Sequence, residues 1–154
     1  MYNYIMIRKE NTSIIEEVFN IITHGIGVIL SIVGLVMLLN FAHKNFSPDR
    51  IVGYSVFGGA IIISYTFSTL YHSLVYTKAK QILKILDHSS IFLLIAGTYT
   101  PFMLMVLKGN LGLILLTLIW IFAILGVILK TFYVYKFKKL SLAFYLFMGW
   151  FIVL

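Results

Sequence analysis

A small set of residues in this chain could carry out metal or acid–base chemistry. It comprises one imidazole, two carboxylates and one hydroxyl, which belong to His72, Asp87, Glu17 and Ser68. An imidazole nitrogen is a common ligand of zinc, a carboxylate can orient a water molecule or take its proton, and a hydroxyl can hydrogen-bond that water. These residue types therefore suit a zinc site with an activated water molecule.

The spacing of these residues does not by itself complete a metal site. Catalytic zinc usually takes three protein ligands, and the nitrogen candidates are His24, His72 and His88. The chain contains no HxxxH or HExxH pair. A structural explanation also stays open, because His24 could simply hydrogen-bond a neighbouring helix and Glu17 could be a solvated acid at a helix start.

The composition makes lipid the solvent for most of the chain. Hydrophobic residues make up 61% and charged residues 11%, whereas a soluble domain has roughly a quarter charged residues. We therefore predict an all-α integral membrane protein, a polytopic helical bundle. A net charge of +7 would suggest nucleic acid in a soluble protein. Here the basic residues lie in short loops, so we expect membrane lipids and no nucleic acid as partners.

Five apolar runs follow a polar segment, and together they predict one transmembrane domain over residues 1–154. The segment 1–17 is expected outside the hydrocarbon. The predicted helices cover about 18–42, 51–75, 85–107, 111–130 and 140–154. A membrane helix needs about 20 apolar residues, and the fifth run is shorter. We therefore expect the chain to end inside a helix and to hold the first four to five helices of a larger bundle.

The positions of lysine and arginine predict the orientation. The N-terminal side of the membrane collects Arg8, Lys9, Lys78, Lys80, Lys84, Lys130, Lys136, Lys138 and Lys139, and the opposite side collects Lys44, Arg50 and Lys108. Basic residues concentrate in cytoplasmic loops. We therefore predict a multi-pass protein of the cell membrane with its N-terminus in the cytoplasm.

This topology brings the polar residues of three helices to one depth near the inner face. Residues spaced by three or four share one face of a helix, and ionisable groups inside a membrane usually face the bundle interior or a wet cavity. The residues concerned are Glu17, Asn20, His24, Ser68, His72, Asp87 and His88. Their convergence predicts a functional site at this depth.

Several motifs resemble those of a known family. In chain order they are Glu17, 20–25 (NIITHG), 68–73 (STLYHS), 86–89 (LDHS), 96–102 (AGTYTPF) and 145–150 (YLFMGW). These motifs resemble the hemolysin III family, which belongs with the progestin and adiponectin receptors in a wider group of ceramidase-like membrane hydrolases. The resemblance covers nearly the whole chain from Glu16 onward.

The resemblance implies a seven-helix fold with a zinc site near the inner face. It implies His72 as a zinc ligand, and Ser68 and Asp87 as the residues that line the site and hold its water. Two further ligands are implied in an HxxxH pair on a seventh helix, which this chain does not contain. His24 and His88 occupy motif positions but are not zinc ligands of the family. With Glu17 and Asn20, we expect these two histidines to be accessory residues.

Three functions follow as hypotheses. The leading one is a zinc-dependent membrane hydrolase that cleaves an amide or ester bond in a lipid, with Asp87 and Ser68 as catalytic residues. The second is a pore-forming cytolysin, which would need polar groups along the full membrane depth or an oligomeric lumen. The third is a receptor or membrane-homeostasis protein with structural zinc. The sequence does not decide the substrate, the metal or the oligomeric state.

Overall fold

The chain folds into five α-helices. A computed structural model describes residues 13–133 and 138–151, and this part of the chain contains no strand. The helices are α1 (Ile14–Lys44), α2 (Pro48–Ser73), α3 (Lys80–Met105), α4 (Asn110–Tyr133) and α5 (Lys138–Trp150). Four of them are long and apolar enough to cross a membrane. The predicted class, an all-α polytopic membrane protein, is therefore confirmed.

Some predictions fall on residues that the structure does not describe. They concern most of the polar N-terminal segment, at residues 1–12, part of the basic stretch between the last two helices, at residues 134–137, and the end of the fifth apolar run, at residues 152–154.

The helices begin before the apolar runs because polar residues and a proline start them, whereas α2 and α3 end about two residues before their predicted ends. The Ser13 hydroxyl accepts a hydrogen bond from the Glu16 backbone N–H at 3.2 Å, and the Glu16 carboxylate accepts one from the Ser13 N–H at 3.3 Å. This reciprocal pair is a capping box, which satisfies two N–H groups that have no partner inside the helix. Pro48 stands in the first turn of α2, where its missing N–H costs nothing. α3 begins at Lys80, five residues before the apolar run.

Consecutive helices pack side by side, and α3 lies at the centre of the bundle. Among the described residues, α1 packs against α2 alone, α2 packs against α1 and α3, and α5 packs against α3 and α4. Buried residues occur along most of α3, whereas α1 has few. The hydrophobic core joins α3, α4 and α5 through Phe92, Ala96, Tyr99, Met103, Ile119, Ala123 and Met148.

Glycines allow the helices to approach closely. A methyl group added at Gly97 of α3 would come within 2.6 Å of the Ala60 Cβ of α2. One added at Gly53 of α2 would come within 2.8 Å of the Pro101 Cα of α3. In lipid no hydrophobic force drives helices together, so close packing at small residues is one of the interactions that pair them. These two contacts therefore limit how α2 and α3 can pair.

Two tyrosine hydroxyls attach α5 to α3. The Tyr99 hydroxyl lies 2.9 Å from the carbonyl oxygens of both Met148 and Gly149. The Tyr145 hydroxyl donates to the His88 carbonyl at 2.7 Å. The two bonds lie at different heights along α3, so they set both the depth and the tilt of the short fifth helix.

Replacing Gly97 with alanine should destabilise the bundle. The added methyl group has no space against Ala60, so the two helices must separate, and we expect a loss of about 1–3 kcal/mol of unfolding free energy. Gly59→Ala is the matched control, since nothing lies within 4 Å of a Cβ at that position. The control should be neutral or more stable by up to about 1 kcal/mol. Denaturant unfolding in detergent would compare them, and equal stabilities would contradict the close contact.

Removing the Tyr99 hydroxyl should loosen α5. Tyr99→Phe keeps the ring in the core but leaves two carbonyl groups without this donor, so we expect a loss of about 1 kcal/mol of stability. Hydrogen exchange of the α5 amides should rise together with that loss. Tyr76→Phe is the control, because the Tyr76 side chain is exposed and its change should leave both readings as in the parent protein.

Candidate functional site

The three helix ends expected to converge do meet, and we call this region the polar end of the bundle. It consists of the first turns of α1, the last turns of α2 and the first turns of α3. The residues there are Glu17, Asn20, His24, Ser68, His72, Asp87 and His88. Each of the seven side chains contacts at least one other member of the set.

The shortest contact in the polar end joins α1 to α2. The Nδ1 atom of His72 lies 2.6 Å from Oε2 of Glu17, and Glu17 is only 7% exposed. A carboxylate only accepts hydrogen bonds, so Nδ1 of His72 is the donor, and in the neutral imidazole Nε2 then has the lone pair. The Asn20 side-chain nitrogen lies 3.5 Å from the same Nδ1. Nε2 is therefore the nitrogen of His72 that is available to a ligand.

A second contact joins α2 to α3 through Asp87. The Asp87 carboxylate accepts hydrogen bonds from the Ser68 hydroxyl and from His88. Ser68 lies one helical turn before His72, which places both side chains on one face of α2. Nδ1 of His88 lies 3.3 Å from Oδ2 of Asp87 and 2.9 Å from the Lys84 carbonyl oxygen. Nδ1 of His88 thus contacts both the Asp87 carboxylate and the Lys84 carbonyl of the same helix, α3.

His24 faces His72 across the interface between α1 and α2. The two rings are parallel within 4°, with their centroids 5.8 Å apart. The His24 ring also contacts Tyr65 of α2. Its Nδ1 atom is buried and has no hydrogen-bond partner among the described residues. Such buried unpaired atoms are rare in proteins, so this nitrogen is available to a molecule bound at the polar end.

One contributor to the polar end was not identified as a site residue from the sequence. Tyr145 of α5 donates to the His88 carbonyl, and the Lys130 ammonium lies 5.9 Å from the centre of the Tyr145 ring. Lys130 is only 4% exposed, and Lys84 is buried as well. Tyr145 belongs to a motif that carries the family resemblance, but only the packing of α5 on α3 reveals its contact. A count of loop charges gives no sign that two lysines are buried.

The donor set fits part of a zinc site. His72 offers one imidazole nitrogen, and the linked pair of Ser68 and Asp87 offers hydrogen bonds for a water molecule beside it. Within residues 13–133 and 138–151, no three His, Cys, Asp or Glu side chains are arranged to hold a metal ion. The described residues could therefore supply one ligand and the polar groups around it, and they do not complete a metal site.

Comparison with known proteins places the chain in a family. The sequence profile described as "Haemolysin-III related" matches residues 12–154. "Hemolysin-3" of Bacillus cereus is 49% identical over 138 residues, which are 90% of this chain and 63% of that protein. "Hemolysin-3 homolog" of Bacillus subtilis (strain 168) is 50% identical over 139 residues, which are 90% of this chain and 65% of that protein.

The match covers most of this chain but a smaller share of each relative. The chain spans less than two thirds of the length of the two curated relatives it matches. No solved structure matches the chain. The family profile covers nearly all of the sequence, and the identity to both relatives is high. The chain therefore belongs to the haemolysin-III related family of membrane proteins.

Proposed function

We propose that this chain forms part of a membrane-embedded, zinc-dependent hydrolase that cleaves an amide or ester bond in a lipid. The observation that carries the proposal is the placement of His72, with Nε2 available, in the same polar end as the hydrogen-bonded pair of Ser68 and Asp87. The function is that of the whole protein, to which this chain contributes one zinc ligand. We assign the other ligands to the HxxxH pair that the family resemblance implies.

The residues of this chain divide the work of hydrolysis between them. Zinc, when bound, supplies Lewis acidity, which polarises a carbonyl group and acidifies a nearby water molecule. The Asp87 carboxylate orients the water and accepts its proton. The Ser68 hydroxyl holds Asp87 and can turn to donate to the developing oxyanion. His88 fixes Asp87 from the opposite side, and His24 offers its unpaired nitrogen to a polar group of the substrate.

A lipid substrate fits the location of the polar end. The polar residues lie where the apolar runs of three helices begin or end, which is the depth of a bilayer's interfacial region. The amide or ester linkage of a lipid lies at that depth, while its acyl chains lie in the hydrocarbon. Exposed apolar side chains continue from the polar end along α1, among them Ile22, Ile26 and Ile29. They provide a surface for such chains.

The polar end is assigned to the cytoplasmic side of the membrane. The connection between α2 and α3 belongs to this end and carries Lys78, and α3 begins with Lys80. In the sequence, Lys136, Lys138 and Lys139 follow α4 at the same end. The connections at the opposite end carry fewer basic residues. This asymmetry supports a cytoplasmic N-terminus, since basic loops are retained in the cytoplasm.

The printed names of the relatives raise cytolysis as an alternative. A water-filled pore needs polar groups along the whole membrane depth or a lumen formed by an oligomer. In the described residues, the charged side chains buried in the bundle are Glu17, Lys84 and Lys130, and all three lie toward the polar end. This distribution favours a reaction site at one face over a continuous channel. A receptor with structural zinc is the further alternative, and the roles of His72 and Asp87 distinguish it.

Substitutions of His72 and Asp87 should separate metal binding from turnover. In the full-length gene product, purified in detergent, we expect His72→Ala to lose zinc and hydrolysis together. Asp87→Asn should retain zinc and lower the hydrolysis rate by about 10²–10⁴-fold, because it cannot accept the proton from water. Zinc is measured by elemental mass spectrometry, and hydrolysis with a fluorescent lipid amide and its ester counterpart.

His43→Ala is the matched control, since His43 lies at the opposite end of the bundle and should leave zinc and turnover unchanged. Zinc binding that survives in His72→Ala would refute the assigned ligand. Full turnover in Asp87→Asn would refute the assigned base. Zinc without hydrolysis in the parent protein, together with loss of zinc and unfolding in Asp87→Asn, would indicate a structural metal as in the receptor alternative.

The orientation can be tested by single-cysteine labelling, because the described chain has no cysteine of its own. Thr77→Cys lies in the connection between α2 and α3, and Asn45→Cys lies in that between α1 and α2. We expect a membrane-impermeant maleimide to label Asn45→Cys in intact cells and to label Thr77→Cys only after permeabilisation. The reverse pattern would place the polar end on the outer side of the membrane.

A further inference from the structure

The structure points to Glu17 as a positioning residue for His72, an inference that rests on the proposed zinc ligation by His72. We propose that the Glu17 carboxylate fixes the tautomer and the rotation of the His72 ring, so that Nε2 is presented to the metal. The role is carried by α1, which in the described residues contacts α2 alone. The first helix thereby acts on the orientation of His72 through the Glu17 side chain.

The geometry of the contact assigns the proton of His72. Neutral imidazole carries one N–H, and either ring nitrogen can bear it. The 2.6 Å separation from Oε2 of Glu17 to Nδ1 is that of a strong, charge-assisted hydrogen bond. Since the carboxylate cannot donate, the proton lies on Nδ1, and Nε2 has the lone pair that a metal requires. Without such a partner, imidazole has no fixed choice between the two forms.

Asn20 does not compete with Glu17 for this role. Its side-chain nitrogen lies 3.5 Å from Nδ1 of His72, at the outer limit for a hydrogen bond. The shorter contact dominates, and Glu17 also brings a negative charge that favours a hydrogen bond from the N–H. Asn20, one turn further along α1, packs beside the pair and limits how far the ring can rotate.

Helix capping does not explain the burial of Glu17. The neighbouring Glu16 forms the capping box with Ser13 and is solvent-exposed. Glu17 is instead buried against α2, and a buried carboxylate is unfavourable unless it is paired. The contact with His72 provides a partner at the position where metal-binding histidines usually have one, on the ring nitrogen opposite the metal. The two adjacent glutamates thus have separate roles: Glu16 caps α1 and Glu17 pairs with His72. Substitutions of Glu16 therefore serve as controls for substitutions of Glu17.

The test measures zinc affinity in the full-length gene product by competition with a chromophoric chelator. We expect Glu17→Ala to weaken zinc binding by about 10–100-fold, as is typical for such carboxylate partners. Glu17→Gln should weaken it less, because the amide oxygen still accepts from Nδ1. Glu16→Ala, the matched control, should stay within about twofold of the parent. Equal affinity in Glu17→Ala and the parent would overturn the inference.

A second readout does not depend on zinc and covers the case in which Glu17→Ala fails to fold. In the metal-free protein, the ring ¹⁵N chemical shifts of His72 report which nitrogen bears the proton, with His72→Ala identifying the signals. We expect an N–H at Nδ1 in the parent and a mixture of both forms in Glu17→Ala, or a partial shift in Glu17→Gln. A His72 signal unchanged in Glu17→Gln and Glu17→Ala would refute the role of Glu17.

These two readouts separate the inference from the proposed function. If His72→Ala binds zinc as the parent does, the assigned ligand is wrong and the proposed function fails. If His72→Ala loses zinc while both Glu17 variants retain full affinity and the parent tautomer, the function stands and only the role of Glu17 is rejected.

Discussion

α2 and α3 approach each other closely at two glycines, where a larger side chain would hold the helices apart. Gly97 leaves room for Ala60, and Gly53 leaves room for Pro101. In lipid, the solvent is as apolar as the helix surfaces, so helix pairs depend on close packing and on cross-helix hydrogen bonds. The register that these contacts impose brings Ser68 opposite Asp87. A shift of one turn along either helix would separate Ser68 from Asp87 and would disrupt the polar end.

The hydrogen bonds between helices form a series that crosses the bundle. Glu17 connects α1 to His72 on α2, Ser68 connects α2 to Asp87 on α3, and Tyr145 connects α5 to the backbone of α3 beside Asp87. These bonds are at least partly buried, and a buried polar contact is strong when it is satisfied and unfavourable when it is not. The position of Asp87 therefore depends on three helices besides its own.

The sequence predicted the helical class because long uncharged runs in a chain of this composition have no soluble alternative. The approach of Glu17, Asn20 and His72 could also be anticipated, since alternating helices bring their near ends to one depth. The pairing of Glu17 with Nδ1 of His72 could not be anticipated, because it depends on the rotation of each helix about its axis. The early start of α3 was missed for a similar reason: Lys80 lies on a polar turn that hydropathy does not assign to a helix.

The helices touch mainly in the order in which they are synthesised. α1 packs on α2, α2 on α3 and α3 on α4, and α5 returns only as far as α3. Contacts between neighbours in sequence form without long loop closure. During biosynthesis, the polar end can assemble as soon as α3 has entered the bilayer, while later helices are still being translated. The nascent protein would thus hold His72, Asp87 and their partners on α2 and α3 in place before α4 and α5 are complete.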